Sequence, residues 1–336
     1  MHIRQKRRDF LAGLAAAGAA GGLLGARRSL GDDGPPETTT IRLSYNTAIC
    51  FAPMDVAEAF LRTEGFTDIR YVRTTGGFTS PEMIASGEVD VGTSFAGTVV
   101  YQLDAGLPLT ALAGLHAGCY ELFARAPIRS VSDLKGRRVG IQTVKSSGHL
   151  YLSIMATYVG LDPQRDIEWV APPDGNAMEL FVAGDTDAFL GFPPEPQELR
   201  ARGISRVILS TLTDRPWSQY FCCMTHANRA WVREHPVATK RFLRAVFKAA
   251  EYCKADPQDA ARRLVDAGFT PKYDYALQTI RELPYELWHE YDSEDSLRFY
   301  ALRLHEAGML RTSPNALLAG GADWRFVTEL KRELKA

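Results

Sequence analysis

The sequence MIASGEVDVGTSFAGT, residues 83–98, decides the fold. It predicts the end of a helix and then a stop at Gly87, where a positive φ costs glycine little. A short strand follows, in which Val89 and Val91 alternate with acidic residues. Residues 92–94, Gly-Thr-Ser, form a polar loop at the carboxyl end of that strand, directly before a second helix. In open α/β sheets this is the position where ligands bind.

The same pattern returns about ninety residues later, at residues 178–191, MELFVAGDTDAFLG. Gly184 takes the place of Gly87, and Asp187 takes the place of Asp90. A single Gly-x-x-Asp segment is ordinary turn punctuation. Two copies in matching contexts instead predict two α/β lobes, each of which directs the end of a strand at a shared cleft.

The length and composition are those of an ordinary globular protein with two lobes. The chain has 336 residues, of which 46% are hydrophobic and 24% are charged, enough for two cores. The formal net charge is −1, and without residues 1–28 the count is 33 basic against 39 acidic residues, or −6. A mildly acidic body argues against nucleic acid as a partner and offers no polybasic surface to a membrane.

Residues 1–28 have the pattern of an export signal. The segment Arg7-Arg8-Asp9-Phe10-Leu11 precedes a Gly/Ala-rich apolar run, which is typical of a twin-arginine signal peptide. The run is too short for a membrane span, and no cysteine follows it to carry a lipid. The alternative is a disordered basic tail. Residues 29–40 are a polar linker, and no clear A-x-A pattern fixes the cleavage point.

The order of the predicted elements divides the remaining chain into two lobes. Residues 41–122 and 220–336 form the first lobe, and residues 123–219 form the second. Two strands near residues 120–124 and 220–225 are predicted to cross between the lobes. The C-terminal part is mostly helical and is expected to pack on the first lobe and the hinge, with helices at residues 236–250, 256–267, 272–282, 294–307 and 323–335.

The best candidate for polar recognition is the loop of residues 143–149, which opens a helix. Its backbone N–H groups and two serine hydroxyls favour an anionic or strongly polar ligand group, although Ser-Ser-Gly at a helix start is also plain capping. Trp217 and Tyr220 either clamp a planar ligand or only pack the hinge. Glu195 either pairs with an amine or amidine or is solvated. The predicted ligand-binding residues are Tyr45, Asn46, Thr47, Thr93, Ser94, Lys145, Ser146, Ser147, Gly148, Phe192, Glu195, Trp217 and Tyr220.

Catalytic and metal-binding motifs are mostly absent from the sequence. It has no Walker loop, no G-x-S-x-G and no H-E-x-x-H, so we predict neither an enzyme nor a cofactor. Five cysteines without a C-x-x-C pair indicate neither a disulfide framework nor a zinc ribbon. Cys222 and Cys223 are expected to face opposite sides of a strand. These two with His226, or His116 with Cys119, are soft donors that suit a metal. Buried free cysteines are the simpler interpretation, and no metal site is predicted.

Four segments carry a resemblance to a known family: residues 84–92, 132–140, 182–188 and 228–239. With the strand and loop that begin at residue 41, the chain resembles the solute-binding proteins of ABC importers, over roughly residues 41–250. The most similar branch binds sulfonates, taurine, nitrate and thiamin-pyrimidine precursors. The resemblance implies an α/β, periplasmic-binding-protein-like (type II) fold, with two lobes joined by two crossing strands.

The resemblance also implies a function and two alternatives. A monomer in the periplasm would close on a small molecule by hinge motion and deliver it to a permease and its ATPase. The same branch contains an iron-dependent pyrimidine-synthesising enzyme, whose Cys-rich motif Cys222-Cys223 matches only in part. A third possibility is the sensing domain of a transcription regulator, but such proteins carry a helix-turn-helix where this chain has its export signal. A sulfonate or other oxyanion suits residues 146–148, and an aminopyrimidine suits the aromatic residues with Glu195.

Overall fold

The computed structural model describes residues 33–73 and 80–334. The predicted export signal therefore lies outside the described residues. The strands within the described ranges are β1 Thr40–Tyr45, β2 Asp68–Arg73, β3 Val91–Phe95, β4 Leu109–Ala117, β5 Glu121–Ala124, β6 Arg137–Gly140, β7 Ile167–Val170, β8 Ala188–Gly191, β9 Arg206–Ser210 and β10 Phe221–Asn228.

Helices follow most of these strands and form the C-terminal third of the chain. The α-helices span Ala52–Asp55, Glu58–Thr63, Ser80–Ser86, Ala96–Asp104, Ser147–Tyr158, Ala177–Ala183, Glu195–Ala201, Arg229–Glu234, Pro236–Ala255, Pro257–Asp266, Tyr273–Glu282, Ser293–Glu306, Pro314–Gly321 and Arg325–Glu333. Short 3₁₀ turns lie at Ile49–Phe51, Val131–Leu134, Trp217–Gln219 and Tyr285–His289.

The strands form two sheets of the same design. Their orders are β2-β1-β3-β10-β4 and β7-β6-β8-β5-β9. In each sheet four strands run in the same direction, and the fifth pairs antiparallel with both of its neighbours, β10 in the first sheet and β5 in the second. Since β4 and β5 are consecutive but lie in different sheets, as do β9 and β10, the chain crosses between the sheets twice. The two-lobed fold predicted from the repeated pattern is confirmed.

The segment at residues 83–98 begins as predicted but continues differently. The helix Ser80–Ser86 ends before Gly87, whose φ is 78°. The strand then runs through residues 91–95 instead of ending at Val91, so the prediction of a loop at residues 92–94 is wrong. The reason is pairing with a distant segment, because β10 takes up the backbone of these residues in an antiparallel ladder. Their N–H groups serve the sheet, and Gly92 is required there because an added Cβ would lie 2.5 Å from Ser80 Oγ.

The second copy of the pattern matches its prediction. The helix Ala177–Ala183 ends at Gly184, which has a left-handed φ of 92°, and β8 follows. The two copies also share an ion pair that fixes the neighbouring strand.

In the first sheet, Asp90 accepts the backbone N–H of Arg42 at 2.8 Å and pairs with its guanidinium at 2.5 Å. In the second sheet, Asp187 accepts the backbone N–H of Arg138 at 2.9 Å and pairs with its guanidinium at 3.2 Å. Arg42 also donates to the carbonyl of Gly87, and Arg138 donates to the carbonyl of Gly184. The two lobes thus share one side-chain arrangement, in which an aspartate accepts a strand N–H in a charge-assisted hydrogen bond.

The C-terminal helices contact both lobes. The helix Ser293–Glu306 places the hydroxyl of Tyr300 3.2 Å from that of Tyr151, on the second-lobe helix Ser147–Tyr158. The helix Tyr273–Glu282 places the carboxylate of Glu282 2.9 Å from the guanidinium of Arg200. The helix Ser293–Glu306 also contacts the first sheet, since Ser293 Oγ accepts the N–H of Gly114 on β4 at 3.0 Å. The C-terminal helices therefore pack on the first lobe, as predicted, and also bridge to the second lobe.

Candidate functional site

A cleft of about 600 Å³ opens between the two sheets, next to the crossing segments. It is lined from the first lobe by the 3₁₀ turn Ile49–Phe51, the start of the helix Ser80–Ser86 and one face of the helix Ala96–Asp104. The second lobe contributes the loop at residues 143–147 and Phe192. A volume of this size suits a small organic molecule.

Several of the residues predicted from sequence meet in this cleft. They are Asn46, Ser94, Lys145, Ser146, Ser147 and Phe192. Asn46 uses its side-chain oxygen to accept the N–H of Ala48 at 2.9 Å, so its amide group remains available. The hydroxyl of Ser94 lies 3.0 Å from Nε2 of His226.

The remaining predicted residues near the first strand do not line the cleft. Tyr45 stacks on Phe269 at 4.8 Å and donates its hydroxyl to the carbonyl of Gly268. Thr47 is exposed and lies at a separate small cavity. Thr93 is buried within β3. Their place in the solute site stays a prediction.

The aromatic residues of the second crossing pack on the C-terminal helices. Tyr220 stacks on Phe299 with ring centroids 3.9 Å apart, and Trp217 is buried against Phe299 and Tyr151. Of the two interpretations of these rings, packing of the hinge is therefore the one that the geometry favours. This contact could not be predicted from the sequence, because Phe299 belongs to the distant helix Ser293–Glu306.

Glu195 and Gly148 lie behind the cleft wall. Glu195 accepts the N–H of Phe192 at 3.1 Å and so holds the loop that presents the Phe192 ring. Burial raises the pKa of Glu195 to about 7, against the opposing effect of this hydrogen bond. Gly148 is buried, and a Cβ added there would lie 3.5 Å from the carbonyl of Leu190. Neither residue lines the cleft, and their contact with a solute stays a prediction.

The loop before the helix Ser147–Tyr158 has an unusual backbone. Lys145 has a φ of 71°, in the left-handed region that residues with a Cβ rarely adopt. Its backbone N–H donates to Nδ1 of His149 at 3.0 Å, and its ammonium lies 5.4 Å from the centroid of the Tyr101 ring. Burial and the Lys145 charge lower the pKa of His149 to about 4, so this histidine is neutral near pH 7 and can accept that hydrogen bond.

Three hydroxyls on the cleft wall have no hydrogen-bond partner within residues 33–73 and 80–334. They are Ser80 Oγ, Thr98 Oγ1 and Ser146 Oγ. Buried polar groups are nearly always paired in native proteins. Unpaired hydroxyls that converge on a cleft are therefore suited to a polar ligand, and sequence analysis missed Ser80 and Thr98 because neither belongs to a motif.

The inner end of the cleft is aromatic. Tyr120 lies 5.5 Å from Phe192 and 5.7 Å from Phe95, measured between ring centroids, and burial raises its pKa well above the usual value. The tyrosine therefore stays protonated and can donate a hydrogen bond. Sequence analysis placed Tyr120 in a crossing strand without assigning it to the cleft.

Three cysteines at the inner end of the cleft were also missed as a group. Cys50, Cys119 and Cys223 all line it, although they come from three separate segments. Burial raises the pKa values of Cys50 and Cys119 well above normal. Burial opposes ionisation of Cys223 as well, but hydrogen bonds from Cys119, Cys222 and Cys50 outweigh it and hold the Cys223 pKa well below normal.

The neighbouring thiols of Cys222 and Cys223 do not diverge as expected. Their sulfur atoms lie 3.8 Å apart, so the expectation that they face opposite sides of the strand is wrong. The cause is an irregularity in the pairing of β10 with β4 between Phe221 and Cys223, because a bulge turns adjacent side chains toward one side.

Across the part of the chain that the structure describes, no helix has both the length and the apolar character to cross a membrane.

The fold is that of the periplasmic binding proteins. The periplasmic nitrate-binding protein NrtA from Synechocystis PCC 6803 superposes with a TM-score of 0.74 at 15% identity, covering 90% of each chain. The alkanesulfonate-binding protein SsuA from Xanthomonas axonopodis pv. citri, bound to MOPS, gives 0.69 at 18% identity, covering 86% of this chain and 99% of its own.

Residues 53–260 match the family model described as NMT1/THI5 like, and the chain belongs to that family. Among curated relatives, a 4-amino-5-hydroxymethyl-2-methylpyrimidine phosphate synthase of Candida albicans is 24% identical over 66% of this chain and 68% of its own. The synthase THI13 of Saccharomyces cerevisiae is 24% identical over 68% of this chain and 70% of its own.

Proposed function

We propose that this protein is the solute-binding component of an ABC importer, and that it holds a small polar or anionic organic molecule in the cleft between its lobes. The observation that carries the proposal is the convergence of unpaired hydroxyls, a helix N-terminus and aromatic rings on one cleft. That combination of an apolar wall with a few aimed polar groups is what small-molecule sites use.

The polar end of the solute is expected at the start of the helix Ser147–Tyr158. The first N–H groups of a helix have no partner within it, and the helix dipole favours negative charge there. Lys145 adds a positive charge at the rim of the cleft. A sulfonate, carboxylate or phosphate-like group in this place would accept hydrogen bonds from the helix start and from Ser146.

The other end of the solute is expected to lie against the aromatic rings. Phe192 and Tyr120 form a continuous wall with Phe95 behind it. A bare oxyanion such as nitrate would leave most of the 600 Å³ to water, so an organic anion or a pyrimidine-like ring matches the cleft better. The Tyr120 hydroxyl, protonated because of its burial, would donate to an acceptor on such a ring.

The same comparison supports a periplasmic location for the protein. Two of the structural relatives are described as periplasmic or sulfonate-binding proteins, and residues 1–28 carry a predicted twin-arginine signal. We therefore infer export to the periplasm and delivery of the solute to a permease and its ATPase. The lobe boundaries near residues 122 and 220 are part of this proposal, with closure by a hinge at the two crossings.

A thermal-shift screen against sulfonates, nitrate-like anions, pyrimidines and aromatic acids tests the proposal first. Each hit is then titrated by calorimetry into the wild type, Ser147→Leu and the control Thr328→Leu, which also replaces a hydroxyl side chain with leucine but at an exposed helix position. We expect Kd to rise at least about tenfold in Ser147→Leu, or roughly 1.4 kcal/mol, with no change in the control. Equal affinity in all three proteins would contradict binding of the solute in this cleft.

The second candidate function is a pyrimidine-synthase-like enzyme, which the names of the curated relatives favour. It would require iron at Cys222, Cys223 and His226. Nε2 of His226 is instead hydrogen-bonded to Ser94, and thiolate-rich donors differ from the two histidines and one carboxylate typical of oxygen-activating iron. Those three residues do not fit such an ion. Incubation with iron(II) and a cell extract as the source of precursors, but without added pyrimidine, separates the alternatives by mass spectrometry. A synthase forms a pyrimidine phosphate, and a transport protein forms none.

A further inference from the structure

We propose that Cys50, His116, Cys119 and Cys223 bind one thiophilic metal ion, such as Zn²⁺, at the inner end of the cleft. The inference goes beyond the proposed transport role and does not depend on which solute the protein carries. It keeps the pair His116 and Cys119 considered from sequence and adds Cys50 and Cys223, which come from two distant segments. Cys222 and His226 are not part of it.

The four donor atoms already stand close to tetrahedral ligand spacing. All of them lie within 4.8 Å of one another, and all four residues are buried. In a tetrahedral zinc site the Zn–S bond is about 2.3 Å, which places neighbouring sulfur atoms roughly 3.8 Å apart. Contraction by about 1 Å or less would therefore assemble a Cys₃His site of a kind that structural zinc commonly uses.

His116 is oriented to act as a ligand. Its Nδ1 lies 3.1 Å from the carbonyl oxygen of Gly118. A carbonyl oxygen can only accept a hydrogen bond, so Nδ1 must carry the proton. Nε2 then bears the free lone pair, and it is buried without a hydrogen-bond partner among the described residues. A histidine ligand whose other nitrogen donates to a backbone carbonyl is the usual arrangement at metal sites.

The scaffold brings the ligands together from elements that are fixed by other contacts. His116 on β4 and Cys223 on β10 are paired across the sheet. Cys119 lies in the first crossing segment, where its N–H donates to the hydroxyl of Thr211 at 3.1 Å. Cys50 is held through its carbonyl, which accepts the hydroxyl of Tyr285 at 3.0 Å. A bound ion would thus link the first crossing segment to β10, the strand that follows the second crossing.

The cleft gives the ion a route and the donors select its type. Cys50, Cys119 and Cys223 all border the cleft, so an ion can enter without unfolding. Three thiolates and one imidazole favour soft or borderline cations over Mg²⁺ or Ca²⁺. The sulfur of Cys222, 3.5 Å from that of Cys119, lies outside the ligand set, and a disulfide between these two would consume a ligand.

Cobalt(II) titration of the reduced full-length protein, stripped with a chelator, tests the site. The wild type should bind one equivalent, with intense visible bands of tetrahedral cobalt and a sulfur-to-cobalt charge-transfer band, and zinc should displace it. Cys253→Ser, which removes a buried cysteine elsewhere, is the matched control and should behave like the wild type. Cys119→Ser and His116→Gln should lose stoichiometric binding.

A second measurement needs no variant and covers the case in which Cys119→Ser fails to fold. In mild denaturant, zinc should slow alkylation of Cys50, Cys119 and Cys223 in the wild type but leave that of Cys253 unchanged, as mass spectrometry of peptides reports. No selective protection, a cobalt spectrum without sulfur ligation, or equal affinity in a folded Cys119→Ser would overturn the proposal. Since no solute is present, each of these failures leaves the transport proposal untouched.

Discussion

Substitution of Lys145 by glycine is expected to change the stability of the fold and the affinity for solute in opposite ways. Lys145 holds a φ of 71°, a conformation that costs a residue with a Cβ about 1–2 kcal/mol. Glycine removes this strain but gains freedom in the unfolded chain, worth roughly 0.5–1 kcal/mol. We therefore expect Lys145→Gly to raise the free energy of unfolding by about 0.5–1 kcal/mol. Lys145→Ala keeps the Cβ and should leave it within about 0.5 kcal/mol of the wild type.

Both variants lose the ammonium group at the cleft rim and should bind an anionic solute alike. An exposed charge pair contributes up to about 1 kcal/mol, which corresponds to a rise in Kd of about fivefold. The loss should shrink as salt is added, because exposed charges are screened. Lys145→Arg keeps the charge and serves as the control for binding.

Urea unfolding measures the stability of these variants, and calorimetry at low and high salt measures their affinity. If Lys145→Gly is less stable than Lys145→Ala, the backbone at this position is not strained and the description of the loop is wrong. If the low-salt Kd of an anionic solute is the same in the wild type and in Lys145→Ala, the ammonium does not face the solute.

Three further predictions concern the scaffold. Asp90→Ala should lower the free energy of unfolding by about 3 kcal/mol, and Asp187→Ala by about 1–2 kcal/mol. The difference is expected because the Asp90 side chain is 6% exposed and that of Asp187 is 27% exposed. Equal losses in urea unfolding would contradict this prediction. Burial lowers the pKa of His226 to about 3, while the unfolded chain binds that proton near pH 6.5. Stability should therefore fall as the pH drops from about 6.5 toward 3, by roughly 1.4 kcal/mol per pH unit for this group, and His226→Gln should show a shallower loss across pH 7 to 4. A Cβ added at Gly114 would overlap the ring of Phe221, so Gly114→Ala should cost about 1–3 kcal/mol in thermal or urea unfolding, and an unchanged midpoint would show that the ring can move aside.

The fold could be predicted from the sequence because its determinants are local. A helix that ends at Gly87 or Gly184 and a strand that follows an aspartate are both encoded within about fifteen residues. The repetition of that pattern implied two lobes of one design. What the local pattern did not contain was the partner of the strand, since β10 pairs with residues 91–95 from more than a hundred residues away.

The site was harder to predict because its residues meet only in the folded chain. Lys145 and Ser147 lie in one loop at a helix start, and their physical chemistry points to a polar ligand without any knowledge of the fold. Cys50, Cys119 and Cys223 have no such spacing, and only the pairing of β10 with β4 brings them together. Tyr220 was ambiguous for the same reason, because the ring that it stacks on belongs to a distant helix.

Hydrogen–deuterium exchange with a saturating solute locates the binding site without any substitution. Binding between the lobes should slow exchange in peptides that cover residues 46–51 and 143–148, with no change in the helix Pro257–Asp266. Residues 92–94 should already be protected without solute, because their N–H groups lie in the sheet. Protection confined to other surfaces, with residues 143–148 exchanging at the same rate in both states, would contradict binding between the lobes.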